Sequence, residues 1–479
     1  MALTLIRQND QRTARMKRRI ATLVGALVFA TTLSATSPSR VEAQSATLVD
    51  ALTAAYLNNP TLLLRRARLR STDEGVPQAL ANWRPDVVVT GEAGYSDIHN
   101  SAATGTGTNQ WRNGQSIAID ITQPIFRGGR TLAATSEAEN NILAERARLM
   151  GVEQTVLFDA ISAYMDTFRD EAVLNLNINN EQVLARQLEA TRDRFEVGEI
   201  TRTDVHQAEA RRAQAKADRI QSEGDLEASR AAYVNVVGEA APADVKAPEL
   251  PTDLPGSKEE ALKQAAVKNP GVISAEFARL ASLDNADEVW GELLPEVELS
   301  AGYSHALEGS AEQGHIDTAE VALTVSVPIY QQGGVYSRLR EARQDAAELA
   351  FTIDEQRRVS VETASRAWEA LQTAQARVVA FTTQIEANVV ALEGVQREAS
   401  VGSRTILDVL DAEQELLDAR VFHVRAQRDE LVAMYELKSA VGTLTARDLA
   451  LPVTLYDPRE HYREVRDKWF GGRSSGDKQ

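Results

Sequence analysis

Apolar and polar residues alternate strictly over four separate stretches of this chain. In the first, Val87, Val89, Gly91, Ala93 and Tyr95 are apolar or small, while Asp86, Thr90, Glu92 and Ser96 lie between them. Ile117, Ile119 and Ile121 alternate with Ser116, Asp120 and Thr122. Val297, Leu299, Ala301 and Tyr303 alternate with Glu296, Glu298 and Ser300, and Val321, Leu323, Val325 and Val327 with Glu320, Thr324 and Ser326. A period of two sends successive side chains to opposite faces of a strand, so strands are predicted over about 86–96, 115–125, 296–304 and 319–329. Two longer stretches, about 130–196 and 335–400, contain no proline. In the second, Ala364, Trp368, Leu371, Val378, Ile385, Val389 and Leu392 fall at spacings of three and four or their sums. That seam marks coiled-coil packing, and at 1.5 Å per residue each helix reaches on the order of 100 Å. Return helices are predicted over about 202–237 and 406–441, and helices of some 30 residues, about Leu48–Trp83 and Lys258–Gly291, precede the strands.

These elements form two copies of one plan. Asn59-Pro60 recurs as Asn269-Pro270, Trp83-Arg84-Pro85 as Leu293-Leu294-Pro295, and Gly94-Tyr95-Ser96 as Gly302-Tyr303-Ser304. Gln123-Pro124-Ile125-Phe126 with Gly128-Gly129 matches Val327-Pro328-Ile329-Tyr330 with Gly333-Gly334. Val197-Gly198 with Thr203-Asp204-Val205 matches Val401-Gly402 with Leu407-Asp408-Val409. The order is collinear and the offset stays between 204 and 210 residues, which defines a repeat. The first copy covers 44–240 and the second 258–450, joined by a Pro-rich linker over 241–257 and followed by a polar tail over 451–479.

Alternation alone also suits a soluble sheet with one wet face. The strand length of about 10 residues is that of a tilted membrane strand. The links Asp97–Gly114 and His305–Asp317 are polar, like external loops, and are expected to face outside the cell. Four strands cannot close a barrel, and lipid tolerates no open edge. Two chains would give eight strands with a filled interior, whereas three give twelve and room for a lumen.

The N-terminus adds an address. Lys17-Arg18-Arg19 leads into an apolar run, Ile20 to Leu33, followed by small and polar residues to Ala43. That is the order of a signal peptide over 1–43, with Met1 or Met16 as start, and the run is too short to span a bilayer. No other apolar stretch approaches spanning length, so no transmembrane helix is expected. The formal charge is −17, and it becomes about −22 without residues 1–43, the wrong sign for nucleic acid. With no cysteine there is no thiolate and no lipid-modified N-terminal Cys. The six His show no metal-ligand spacing, so neither metal nor cofactor is expected.

The duplicated helix–strand–strand–long helix–short helix order resembles the TolC family of outer-membrane channels. So do the Pro-Ile-aromatic turns with Gly-Gly and the Val-Gly-x(4)-Thr/Leu-Asp-Val breaks. The likeness covers about residues 46–450 and is tightest over Val401–Ala412. It implies a mixed α and β membrane protein, with four strands per protomer in a shared twelve-stranded barrel, a long coiled-coil-like tunnel and an equatorial belt. It also implies a homotrimer in outer-membrane lipid, working with a periplasmic adaptor and an inner-membrane transporter. By the same resemblance, Val197, Gly198, Thr201, Val401, Gly402 and Thr405 belong to adaptor-docking tips. Thr203, Asp204, Arg404, Asp408 and Asp411 belong to the periplasmic entrance gate, Arg404 holding it closed against the first tip. Pro124, Gly128, Gly129, Pro328, Gly333 and Gly334 make the barrel-to-tunnel turns. Ala399 stands where the family has a gate tyrosine, which implies a closed state held differently. Asp408 and Asp411 lie three apart, on one face of a helix, and would form acidic rings in a trimer. Read without the family, they suit an ordinary solvated face better.

A periplasmic adaptor also carries long helical hairpins, but it would need a compact β-domain and would not be expected in two copies. An enzyme would need a phosphate loop, a nucleophile elbow or a His–carboxylate cluster, and none is legible. The implied function is an exit duct for efflux or type I secretion, its cargo either small toxic compounds or proteins.

Overall fold

A computed structural model describes residues 47–100, 108–248, 250–251, 253–308 and 314–473. The signal segment over 1–43 lies outside the described residues. Helices α1 (Leu48–Asn58), α2 (Pro60–Asp73) and α3 (Gly75–Ala81) lead to strands β1 (Asp86–Asn100) and β2 (Thr108–Arg127). The 67-residue α4 (Arg130–Glu196) and the return helix α5 (Arg202–Val237) follow. The second copy runs α6 (Lys258–Lys268), α7 (Pro270–Gly291), β3 (Glu296–Glu308), β4 (Gly314–Ser326), the 67-residue α8 (Gly334–Ser400) and α9 (Ile406–Ala440). A short α10 (Glu460–Val465) comes last.

Each expected leading helix is broken at its Asn-Pro. Asn59 and Asn269 take extended backbone and accept from the next turn's amides, and the prolines sit at the first helical position, where a missing N–H costs nothing. The amides of the same two side chains reach the carbonyls of Val236 and Ala440, tying each break to the end of a return helix.

The strands form one antiparallel sheet in the order β1-β2-β3-β4. They run further into the polar links than composition suggests, to Asn100 and Glu308 on one side and from Thr108 and Gly314 on the other. Cross-strand hydrogen bonding does not require apolar side chains, so pairing outlasts alternation. Register corrects the alignment of the copies. Asp86 pairs with Thr122 and Glu296 with Ser326, so once β2 and β4 are matched at 204 through their Pro-Ile-aromatic turns, Asp86 and Glu296 correspond at an offset of 210. On that offset Tyr95 corresponds to His305 rather than to Tyr303.

The offset falls to 204 after the hairpin link, which moves the turn as well. Gly128 and Gly129 have φ of +60° and +79°, and their counterparts are Gln332 (+56°) and Gly333 (+77°), not Gly333 and Gly334. Gly334 is already the first residue of α8. β2 continues through Pro124 to Arg127 along β3, with a bulge between Pro124 and Phe126. β4, expected to about 329, stops at Ser326, leaving Pro328 outside it. β2 has β3 beside it there, whereas β4 is the sheet edge.

The core is strung along the helices. Leu157, Ile161, Tyr164 and Met165 of α4 are fully buried against Leu52, Leu62 and Leu69 of α1 and α2. The second copy packs smaller residues, Ala261, Ala265, Ala364 and Ala367, around Leu371 and Leu437. Alanine lets helices approach closely. Within the polar tail, Leu451, His461 and Val465 are buried. Contrary to the sequence expectation, α8 also holds an 18-residue stretch apolar enough to cross a membrane, none of it buried. Phe351, Val379 and Val390 of α8 are 74, 68 and 70 % exposed in the single chain.

Candidate functional site at the hairpin tips

Both long helices end in the same reversal. Val197 keeps helical backbone, Gly198 turns to φ +84°, and the Glu199 amide donates back to the Arg194 carbonyl at 2.9 Å. In the second tip Gly402 takes φ +77°, and the Ser403 amide donates to the Glu398 carbonyl at 3.0 Å. Only glycine enters that left-handed region without steric cost, which is why it sits at the break.

The return helices then start on matched caps. The Asp204 carboxylate accepts from the Thr201 amide at 3.0 Å and hydroxyl at 2.7 Å. The Asp408 carboxylate accepts from the Thr405 amide at 2.9 Å and hydroxyl at 2.8 Å, and the Asp408 amide donates to Thr405 Oγ1 at 3.2 Å. These bonds satisfy donors that a helix start leaves orphaned. The Thr405 amide and then its hydroxyl, with Arg404 nearby, hold Asp408 below the usual carboxylate range. Thr203 is exposed in the first turn of α5.

Arg404 is not on Asp204. Its Nε donates to Glu398 Oε2 of its own hairpin at 2.9 Å, and Glu398 holds the guanidinium above its ordinary pKa. Asp411 is not free either: Arg211 Nη2 of α5 reaches its Oδ1 at 2.6 Å, linking the return helices of the two copies. Sequence reasoning missed both partners. One signal was present, since Arg211 lies one helical turn beyond Gln207, the position corresponding to Asp411. Beneath this ion pair, Ile406 and Leu410 of α9 are buried against Leu184 and Leu188 of α4 and Ala208 and Ala215 of α5. Val197 and Val401, by contrast, stand out at the ends, 73 and 79 % exposed.

Among the described residues no group of three or more His, Asp or Glu is placed to hold a metal. What the geometry offers is a pair of hairpin tips, each with one exposed valine, at the ends of 67-residue helices.

Comparison with known proteins agrees. The family model described as outer membrane efflux protein matches residues 51–239 and 261–443, one segment per copy. The chain is 35 % identical to outer membrane efflux protein BepC of Brucella suis biovar 1 (strain 1330), over 94 % of this chain and 97 % of that protein. It is 24 % identical to the proteases secretion protein PrtF of Dickeya chrysanthemi, over 85 % of this chain and 90 % of that one. The solved structure of the outer membrane protein VceC of Vibrio cholerae superposes with a TM-score of 0.72 at 20 % identity, covering 82 % of this chain and 96 % of that one. The adaptor reading falls to these matches. The chain therefore belongs to the outer membrane efflux protein family, the TolC-type channels, and is an outer-membrane efflux channel of a Gram-negative bacterium with a large helical part in the periplasm.

Proposed function

We propose that three copies of this chain close one twelve-stranded barrel in outer-membrane lipid and one helical tunnel beneath it. This assembly is the exit duct of a tripartite efflux pump or a type I secretion system. The observation that carries this reading is the sheet. Its order leaves β1 and β4 as edges within one chain, and the apolar face that includes Val89, Leu323 and Val325 is 62, 64 and 58 % exposed. A lipid-facing sheet needs both edges paired. Three chains supply that closure with room for a lumen. BepC is an efflux protein and PrtF a protease secretion protein, which supports cargo of either kind, small toxic compounds or proteins.

The tips make the periplasmic entrance. Val197, Gly198 and Thr201 with Val401, Gly402 and Thr405 receive a periplasmic adaptor, and the adaptor joins the channel to an inner-membrane transporter. Arg404, Thr203 and Asp204 hold the entrance shut at rest, while Asp408 and Asp411 ring it with negative charge, the arrangement that favours cations. Arg404→Ser should raise single-channel conductance in planar bilayers while leaving the trimer intact in detergent. Unchanged conductance would refute the gate, and a detergent-free soluble monomer would refute the channel assembly itself. Crosslinking in cells followed by purification should bring down the adaptor and the transporter.

A further inference from the structure

The segment after α9 climbs towards the sheet. The Tyr456 amide donates to the Tyr56 hydroxyl of α1 at 3.0 Å, and His461 Nδ1 lies 3.3 Å from Asp73 at the end of α2. Tyr462 Oη donates to Glu139 of α4 at 3.1 Å, and Arg466 pairs with the same carboxylate at 3.5 Å. Glu139 lies nine residues into α4, about 13 Å from the strand end at 1.5 Å per residue. The segment then reaches Arg84, two residues before β1. Arg84 Nη1 donates to the Lys468 carbonyl at 2.9 Å, and its guanidinium lies 4.9 Å from the centre of the Trp469 ring.

These contacts fix Trp469 and Phe470 at the foot of the sheet. There they are 58 and 87 % exposed, and Trp83, the chain neighbour of Arg84, is 39 % exposed. Exposed neighbouring aromatics are costly in water. Yet the segment carrying them is held in place by the buried His461 and Val465. Lys468 and Arg473 add positive charge beside them. Aromatic rings flanked by cations, level with the end of a membrane strand, match the chemistry of a bilayer–water interface.

We propose that Trp469 and Phe470 anchor the channel in the periplasmic headgroup layer of the outer membrane, with Lys468 and Arg473 towards lipid phosphate. This rests on the outer-membrane barrel and deepens it, since the contact lies outside the strands and on the arm that clasps α2 and α4.

The chain has no cysteine, so single labels can be placed without background. A nitroxide on Phe470→Cys, in the full-length channel reconstituted in phosphatidylethanolamine–phosphatidylglycerol vesicles, reports depth by collision with oxygen against a nickel chelate. Labels on Leu323→Cys, mid-strand, and on Val197→Cys, at a tip, calibrate lipid and water. The label at 470 should fall between them, and adding Trp469→Ser should move it towards the water value. A water-like label at 470 beside a lipid-like one at 323 overturns the anchor alone. A label at 470 shielded from both reagents means that protein covers it, and also overturns the anchor. A water-like label at 323 instead refutes the membrane sheet on which the proposal rests.

Discussion

The Thr405–Asp408 cap shows how a single carboxylate makes the tip sensitive to protons. Because the folded tip lowers the Asp408 pKa, its contribution is fully present above the ordinary carboxylate value of about 3.9. It is lost as pH falls through the lowered folded value. Amide exchange in the first turn of α9 should therefore accelerate only below that ordinary range. In Asp408→Ala it should be fast at every pH, and an unchanged exchange profile in that variant would remove the cap from the account. The residue types at the tips were legible, because a glycine reversal and a Thr-x-x-Asp cap are local. Their ion-pair partners were not. Arg404 had an acid within its own hairpin, six residues back, and Asp411 met Arg211 from 200 residues away, a matter of helix rotation that spacing alone does not fix.

Between elements, the turn from sheet to tunnel is asymmetric in a way that residue matching concealed. Matching glycine to glycine pairs Gly128 with Gly333, but backbone geometry pairs it with Gln332. The difference lies in what surrounds each position. A methyl added at Gly128 would lie 2.2 Å from the Gly291 carbonyl oxygen, so no side chain fits there. At Gln332 a side chain is accommodated, and only the left-handed backbone is unfavourable, by about 1–2 kcal/mol. Gly128→Ala should thus lower the thermal midpoint of the detergent-solubilised channel sharply. Gln332→Gly should change it little or raise it slightly, since glycine's extra freedom in the unfolded chain offsets the relief. Equal losses at both positions would refute the steric distinction. The helix-rich class and four-stranded sheet could be read from the sequence because alternation and proline-free seams are periodic signals. Strand ends in the polar links and the shift from 210 to 204 could not, because backbone pairing leaves no mark on composition.

At the scale of the whole molecule, the duplication supplies a template for contacts that one chain cannot make. Within the chain β2 meets β3 with Ile119 opposite Tyr303 and Ile117 opposite His305. With β2 matched to β4 at an offset of 204 by Gln123-Pro124 and Val327-Pro328, the two hairpin registers set β1 against β3 at 210. If β4 of one protomer meets β1 of the next as β2 meets β3, Leu323 falls opposite Ala93 and Val321 opposite Tyr95. The same mapping gives residues 327–331, which lie outside β4 in the single chain, a partner in Asp86–Val89. It mirrors the pairing of Gln123–Arg127 with Glu296–Leu299. Directly opposed Cα atoms lie about 4.5–5.5 Å apart, within disulfide reach, whereas a two-residue slip adds nearly 7 Å along the strand. Oxidation of Ala93→Cys with Leu323→Cys should therefore give a covalent ladder ending at three chains. Gly91→Cys with Leu323→Cys should stay monomeric on denaturing gels. Crosslinking of the second pair but not the first would show that the copies meet in another register, and a ladder running past three would rule out the closed trimer.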